Sequence, residues 1–191
     1  LQRALEDRAA WQAMGYHVPR IAVNISPGRL ADPALLEKLR RLAIPPGAIV
    51  FELVETIFLD DCDEKFLANI DLIKEMGIDI EIDDFGSGHA SLIGLVRLKP
   101  KRLKIDRQLV TDVVESAEQR RVIGSIVEIA KALDVEVIAE GVETEAHAVT
   151  LSWLGCDSLQ GFALGYPSSA ADTGRLLAST GHDGKSRSVA R

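Results

Sequence analysis

The chain has 191 residues, of which 47% are hydrophobic, and a formal net charge of −7. This length suits one globular domain with a sizeable core, and the hydrophobic fraction excludes a disordered chain. The negative charge argues against long nucleic acid as a partner, because phosphate binding requires a basic face. No apolar run reaches the roughly 18 residues of a membrane helix, so we expect no membrane contact by this domain.

Short β-branched segments alternate with helical patterns along the chain. The predicted strands are IAVNI from Ile21, IVFELVE from Ile49, IDIEID from Ile78, RLKID from Arg102, VEVIAE from Val135 and the weaker SLQG from Ser158. The predicted helices are the amphipathic N-terminal stretch, DPALLEKLRRL from Asp32, DEKFLANIDLIKEMG from Asp63, residues 118–133, EAHAVTLSWLG from Glu145 and SSAADTGRLLAS from Ser168. One domain is therefore predicted over residues 1–179, followed by a disordered polar tail over residues 180–191.

Alternating strands and helices indicate an α/β protein with a parallel sheet, either an open doubly wound sheet or a closed (β/α)8 barrel. Every predicted strand carries polar residues at or near its carboxyl end, namely Asn24, Glu52 with Glu55, Asp83 with Asp84, Lys104 with Asp106, Glu140 and Gln160. A barrel gathers side chains from all its strands onto one face, whereas an open sheet binds ligands mainly where its strand order reverses. The pattern favours a TIM-like (β/α)8 barrel with about six of its eight strands in this chain.

An all-oxygen set of side chains stands out among these residues, consisting of Asn24, Glu52, Asp83, Asp84 and Glu140. Hard divalent cations such as Mg²⁺ or Mn²⁺ prefer these ligands. Two such ions about 4 Å apart would clamp an in-line displacement at phosphorus, and Lys104 would add a further cation. Adjacent strand residues point to opposite faces, so the two aspartates are expected to converge only where the strand ends and Gly86 and Gly88 permit a turn.

Each of these residues also has an ordinary structural interpretation. The two aspartates could cap a helix or occupy a solvated turn, and the two glutamates of the second strand could be surface carboxylates. Asn24 could belong to a turn with Ser26, Lys104 could be solvated, and Glu140 could cap the helix that follows. The shared position at one end of successive strands favours the functional interpretation.

Six segments, in this order, resemble the EAL domain family: AVNIS, FELVET, IDDFGSGHASL, LKIDRQLV, VIAEGVET and LGCDSLQGFALGYP. The resemblance runs from about Leu1 to Ser179, and the combination is specific although each motif is weak alone. It implies a modified TIM barrel that hydrolyses cyclic di-GMP to linear pGpG with two Mg²⁺ or Mn²⁺ ions in bacterial signalling. The isolated Cys62 and Cys156 are interpreted as reduced thiols of a cytoplasmic domain.

The resemblance also implies a role for individual residues. Asn24, Glu52 and Asp83 resemble the ligands of one ion, and Asp83, Asp84 and Glu140 resemble those of the second. Lys104, Glu140 and Asp84 are assigned to catalysis, with Lys104 similar to the lysine that holds the attacking water. Gln160, Glu55 and Asp106 are assigned to support, Glu55 by steadying the loop after the aspartates. That loop, with Phe85, Gly86, Ser87 and Gly88, resembles the segment that links metal binding to a homodimer contact.

The sequence departs from the family pattern in two places. The Glu-Ala-Leu signature, which holds a metal ligand, is absent, and Leu1 falls within the helix that would follow it. We therefore expect a fragment of a longer protein with sensory or diguanylate-cyclase-like domains, and we expect the chain alone to be inactive or weakly active. In the loop, His89 and Ala90 replace the usual tyrosine and serine. A non-catalytic cyclic di-GMP receptor and a protein-binding scaffold are the alternative functions.

Overall fold

Six parallel β-strands form the centre of the molecule. A computed structural model gives the structure of the chain and describes residues 1–18, 20–55, 64–88 and 91–180. The strands are β1 (Ile21–Asn24), β2 (Ile49–Val54), β3 (Asp79–Phe85), β4 (Arg102–Ile105), β5 (Glu136–Ala139) and β6 (Ser158–Leu159). They coincide with the six predicted strands, because each is a short β-branched run bounded by polar or glycine-containing turns.

The strand order distinguishes the two predicted architectures. Each strand pairs in parallel with the next one along the chain, in the order β1-β2-β3-β4-β5-β6. The order does not reverse within the described residues, as it would at the switch point of a doubly wound sheet. Right-handed connections between successive parallel strands place all the helices on one face and leave the other face as the interior of a barrel. The predicted TIM-like barrel architecture is therefore confirmed, with six strands among the described residues.

The helices cover the outer face of the sheet. They are α1 (Gln2–Ala13), α2 (Pro27–Leu30), α3 (Pro33–Arg41), α4 (Glu64–Glu75), α5 (Leu92–Leu98), α6 (Arg107–Val110), α7 (Ala117–Ala132), α8 (Glu145–Leu154) and α9 (Ala170–Thr180). The predicted start of α3 is confirmed, because the Asp32 side chain accepts a hydrogen bond from the Ala34 backbone N–H at 2.9 Å. α7 and α8 begin in the same way, with Ser116 and Thr144 as capping residues.

Three short helices were not among the predicted elements. α2, α5 and α6 have four, seven and four residues, which is too short for an apolar period of 3.6 residues to be recognised. α2 occupies the stretch after Asn24 that the turn interpretation covered. α6 is capped by Asp106, whose side chain accepts a hydrogen bond from the Gln108 backbone N–H at 2.7 Å.

The first and last helices of the domain contact each other. The indole N–H of Trp11 in α1 donates a hydrogen bond to the Ala170 carbonyl of α9 at 3.1 Å, and Gly174 lies against the same ring. These helices flank β1 and β6, the two edges of the sheet. Because helices at opposite edges meet, the sheet is curled into an incomplete barrel.

The hydrophobic core lies between the sheet and the helices. It contains alternate strand residues, such as Ile80, Ile82, Leu103 and Ile105, packed against apolar helix residues such as Val127. Among the described residues, none of the helices combines the length and apolar character that crossing a membrane requires. The predicted polar tail lies outside the described residues, apart from Thr180, with which α9 ends.

Candidate metal centre

The predicted site residues lie at the carboxyl ends of the strands. Asn24 is the last residue of β1 and stands in register with Glu52 of β2. Asp83 and Asp84 belong to the end of β3, and Lys104 is the third residue of β4. Glu140 and Gln160 directly follow β5 and β6. The parallel sheet therefore brings all of these positions to one rim, as the sequence pattern indicates.

The two aspartates converge through a β-bulge inside the strand. Ile82 pairs with Leu103 and Phe85 pairs with Ile105, so that Asp83 and Asp84 together oppose the single residue Lys104. Asp84 has a φ of 55°, in the left-handed region that aspartate tolerates better than most residues. Both side chains converge near the end of β3, as expected, but the turn comes from the extra residue of the bulge and not from the glycines that follow the strand.

Lys104 lies at the centre of three carboxylates. Its Nζ atom is 2.8 Å from Glu52 Oε1, 2.9 Å from Asp83 Oδ1 and 2.6 Å from Glu140 Oε1. The Lys104 side chain is only 5% exposed. The solvated-lysine interpretation is therefore excluded. Glu140 does not cap the next helix, because Thr144 does so.

The electrostatics of the cluster follow from burial and mutual proximity. Burial raises the pKa of Glu140, and the charges of Asp83 and Asp84 raise it further against the opposing effect of Lys104. Burial also raises the pKa of Asp84, helped by its neighbours Asp83 and Asp106. Burial acts to lower the pKa of Lys104, but Glu52 and Glu140 outweigh it and hold that pKa above its usual value. The cluster thus concentrates negative charge around a cation.

The geometry of the acidic residues fits a divalent cation. One carboxylate oxygen from each of Asp83, Asp84 and Glu140 lies within 4.8 Å of the others, and Glu52 reaches the same group through Lys104. The ammonium of Lys104 shows that the carboxylates already surround a position for positive charge. Oxygen ligands of this kind suit Mg²⁺ or Mn²⁺.

Glu55 connects the end of β2 to the loop after the aspartates. Glu55 as a whole is 1% exposed. Its Oε2 atom accepts hydrogen bonds from the backbone N–H of Gly86 at 3.2 Å, the backbone N–H of Ser87 at 3.1 Å and the Ser87 hydroxyl at 2.9 Å. Glu55 is therefore no surface carboxylate. Phe85 is buried in the core, and Gly86 and Gly88 adopt positive φ angles, whereas His89 and Ala90 lie outside the described residues.

The remaining predicted residues lie around this centre with less direct contact. Asn24 is exposed at the edge of the sheet. The carboxyl group of Asp106 is within hydrogen-bonding reach of Asp84. Gln160 is held by its backbone, since its N–H donates to the Ala139 carbonyl at 2.8 Å and its carbonyl accepts from the Val142 N–H at 3.0 Å.

A second charged layer, which was not predicted from the sequence, lies in the barrel interior below the rim. Arg102 forms ion pairs with Glu81 and with Glu136, the latter at 2.7 Å, and its side chain is 3% exposed. Glu81, Arg102 and Glu136 occupy one register row across β3, β4 and β5. This layer could have been predicted from the alternation of side chains along a strand. Glu81 is two residues before Asp83, and Arg102 is two residues before Lys104, so each pair points to the same face of its strand.

Comparison with known proteins identifies the family to which the chain is similar. The sequence profile of the EAL domain matches residues 1–167. The bifunctional diguanylate cyclase/cyclic di-GMP phosphodiesterase MucR of Pseudomonas aeruginosa is 36% identical over 183 residues, which cover 94% of this chain and 26% of MucR. The chain therefore spans about a quarter of the length of this relative.

Solved structures show the same fold. The EAL domain of Mycobacterium smegmatis DcpA superposes with a TM-score of 0.85 at 29% identity, covering 93% of this chain and 81% of that one. The MucR phosphodiesterase in complex with c-di-GMP superposes with a TM-score of 0.80 at 35% identity, and the match covers 90% of this chain and 70% of that one. A manganese/cy-diGMP complex of Klebsiella pneumoniae BlrP1 superposes with a TM-score of 0.70 at 31% identity, and the match covers 84% of this chain and 42% of that one.

Proposed function

The chain belongs to the EAL domain family, and we propose that it is the catalytic domain of a metal-dependent phosphodiesterase that hydrolyses cyclic di-GMP to linear pGpG. The observation that carries this proposal is the cluster of carboxylates from separate strands around one buried lysine at the rim of the barrel. Similarity to MucR supports the choice of substrate. The manganese complex of a homologue supports a divalent cation.

The residues at the rim would hold two divalent cations, Mg²⁺ or Mn²⁺. We assign Asn24, Glu52 and Asp83 to one ion and Asp83, Asp84 and Glu140 to the other. The second assignment is supported by the close approach of its three carboxylates. Bound there, the ions would supply an activated water and neutralise the phosphate oxygens.

The other side chains position these groups. The Lys104 ammonium is the hydrogen-bond donor of the centre, and it would hold the attacking water or a phosphoryl oxygen once metal ions engage its carboxylate partners. Glu55 fixes the backbone at Gly86 and Ser87, which helps to keep Asp84 in its left-handed conformation. Asp106 and Gln160 support the rim on the β4 and β6 sides.

Hydrolysis of cyclic di-GMP is the direct test of this proposal. The natural full-length protein with Mg²⁺ or Mn²⁺ should release pGpG, measured by chromatography of the nucleotides. Glu140→Gln removes one carboxylate from the centre and should lower the rate by at least about 100-fold. Glu145→Gln, at the exposed start of α8, is the matched control and should leave the rate unchanged.

Two other outcomes would contradict the proposal. Equal pGpG release by the wild-type protein and Glu140→Gln would show that the cluster is not the catalytic centre. Tight binding of cyclic di-GMP in EDTA, without turnover when the metal is restored, would instead indicate a receptor.

We also propose that the domain forms a homodimer through α5 and the preceding loop. Leu92, Ile93 and Val96 are 53%, 73% and 49% exposed on this helix, and α5 begins shortly after the segment tied down by Glu55. An apolar patch of this kind is typical of a surface that another protein covers, and its place beside the loop favours a second copy of the domain.

The setting of the domain in the cell is part of the same proposal. We propose a cytoplasmic location and fusion to sensory or diguanylate-cyclase-like domains. The much greater length of MucR, a bifunctional relative, supports the fusion.

A further inference from the structure

Lys104 uses all of its hydrogen-bonding capacity inside the carboxylate cluster. An ammonium group has three N–H donors and no acceptor. Three carboxylates, from Glu52, Asp83 and Glu140, lie at 2.6–2.9 Å from Nζ. Each donor therefore has a carboxylate partner, and none is left for a water molecule or a phosphate oxygen.

The charge balance of the cluster explains this arrangement. The side chains of Glu52, Asp83 and Glu140 are only 11%, 16% and 16% exposed. Carboxylates so poorly solvated repel one another, and burying them without a counter-charge is costly. The ammonium at their centre offsets that repulsion and keeps side chains from three different strands together.

The same carboxyl groups belong to the candidate metal centre. Asp83 and Glu140 bind Lys104, and with Asp84 they form the group whose oxygens lie within 4.8 Å of one another. A cation bound to that group therefore shares the carboxylates of Asp83 and Glu140 with the lysine, and two cations so close together repel each other.

We infer that Lys104 is an internal counter-cation that holds the centre assembled before a metal ion arrives, and that a divalent cation binds in competition with its ammonium group. This inference rests on the proposed metal centre. With an ion bound to these carboxylates, N–H donors of Lys104 would become available to a water molecule or a phosphate oxygen. The lysine thereby couples metal binding at the site to the availability of its N–H donors for the substrate.

Direct measurement of metal binding tests this inference without any measurement of activity. The natural full-length protein is freed of metal with EDTA and dialysed, and Mn²⁺ is titrated by calorimetry at constant pH. Lys104→Met keeps an unbranched side chain but removes the charge, so the dissociation constant for Mn²⁺ should fall by about tenfold or more. In the absence of metal, the variant should unfold at a lower temperature than the wild type. Mn²⁺ should raise the unfolding temperature of the variant by more than it raises that of the wild type.

Lys101→Met is the matched control. Lys101 lies directly before β4 and pairs with Glu136 at 3.5 Å, with 46% of its side chain exposed. Lys101→Met removes the same charge near the same strand, but Lys101 does not contact the cluster. The affinity of this variant for Mn²⁺ should therefore equal that of the wild type.

The possible results separate this inference from the proposed function. Wild-type binding of Mn²⁺ with unchanged or weaker binding by Lys104→Met would overturn the inference and leave the metal centre intact. Absence of binding in both proteins would overturn both. If Lys104→Met is unfolded in EDTA, recovery of its circular dichroism on addition of Mn²⁺ supports the inference, and failure to recover contradicts it.

Discussion

Glu55 shows how one buried carboxylate stabilises a strained segment of the site. It accepts three hydrogen bonds from Gly86 and Ser87, which lie two and three residues after Asp84 with its positive φ. A charged acceptor with backbone donors is a strong restraint on the loop. The resemblance to the EAL family assigned Glu55 this position, and the hydrogen bonds now give the assignment a physical basis.

Replacing Glu55 should affect activity more than folding. Glu55→Gln retains the shape but removes the negative charge, which weakens the three hydrogen bonds that the Oε2 atom of Glu55 accepts from the loop. We expect a loss of about 1–3 kcal/mol in the free energy of unfolding, measured by urea denaturation. The rate of cyclic di-GMP hydrolysis should fall even under conditions in which the variant is fully folded. Glu115→Gln, an exposed carboxylate, is the control, and an active Glu55→Gln enzyme would contradict the role of the loop.

The thiol of Cys156 is predicted to be unreactive. Burial raises the pKa of Cys156 to about 11, and the charge of Asp157 adds to the effect. Because the thiolate is the reactive form, a disulfide reagent at about pH 8 should label the native protein about 100-fold more slowly than the unfolded protein. The measurement needs a Cys62→Ser background, so that only Cys156 is labelled. Equal labelling rates for the native and the unfolded protein would contradict the prediction.

At the level of secondary-structure elements, β6 and the segment after it depend on a close backbone contact. A Cβ atom at Gly161 would lie 2.2 Å from the Val142 backbone nitrogen and 2.3 Å from its carbonyl oxygen. Backbone atoms cannot move aside as a flexible side chain can. Glycine at this position therefore permits the close approach in which the Gln160 backbone bonds Ala139 and Val142.

Gly161→Ala should accordingly destabilise the protein by about 3 kcal/mol, which urea denaturation would measure. Gly165→Ala is the matched control in the same segment, because a Cβ atom there would meet no atom within 4 Å. A Gly161→Ala variant as stable as this control would contradict the packing described here.

The helix α5 carries the proposed dimer contact, and a charge on its exposed face should break it. Ile93→Glu would place a carboxylate within the apolar patch, where it loses hydration if the patch is covered. We expect analytical ultracentrifugation to show a dimer for the wild type and a monomer for the variant. Val149→Glu on α8, which is 64% exposed, should remain dimeric, and an unchanged Ile93→Glu dimer would place the contact elsewhere.

At the level of the whole molecule, the contact between α1 and α9 holds the curled sheet together on its outer side. Trp11 is 6% exposed, whereas Trp153 on α8 is 80% exposed. Trp11→Ala should lower the free energy of unfolding by about 3–5 kcal/mol, because it removes both packing and the hydrogen bond to Ala170. Trp153→Ala should change it by less than about 0.5 kcal/mol, and equal effects in denaturation would contradict the interpretation.

The amino-acid sequence by itself determined the six strands, the longer helices and the end of the sheet at which polar residues gather. These features depend on local signals, such as the β-branched run from Ile49 or Asp32 before Pro33, which act within a few residues. The parallel arrangement follows from the alternation of strands with helices. The composition of the site was therefore visible before any distance was known.

Only the tertiary structure decided how the side chains meet. The bulge at Asp83 and Asp84, the central place of Lys104 and the buried row around Arg102 depend on register between strands that are far apart in sequence. A shift of one residue in that register would move every side chain to the opposite face of the sheet. Local sequence signals specify which residues form each strand, whereas distances between carboxylates of different strands arise from the packing of the complete sheet.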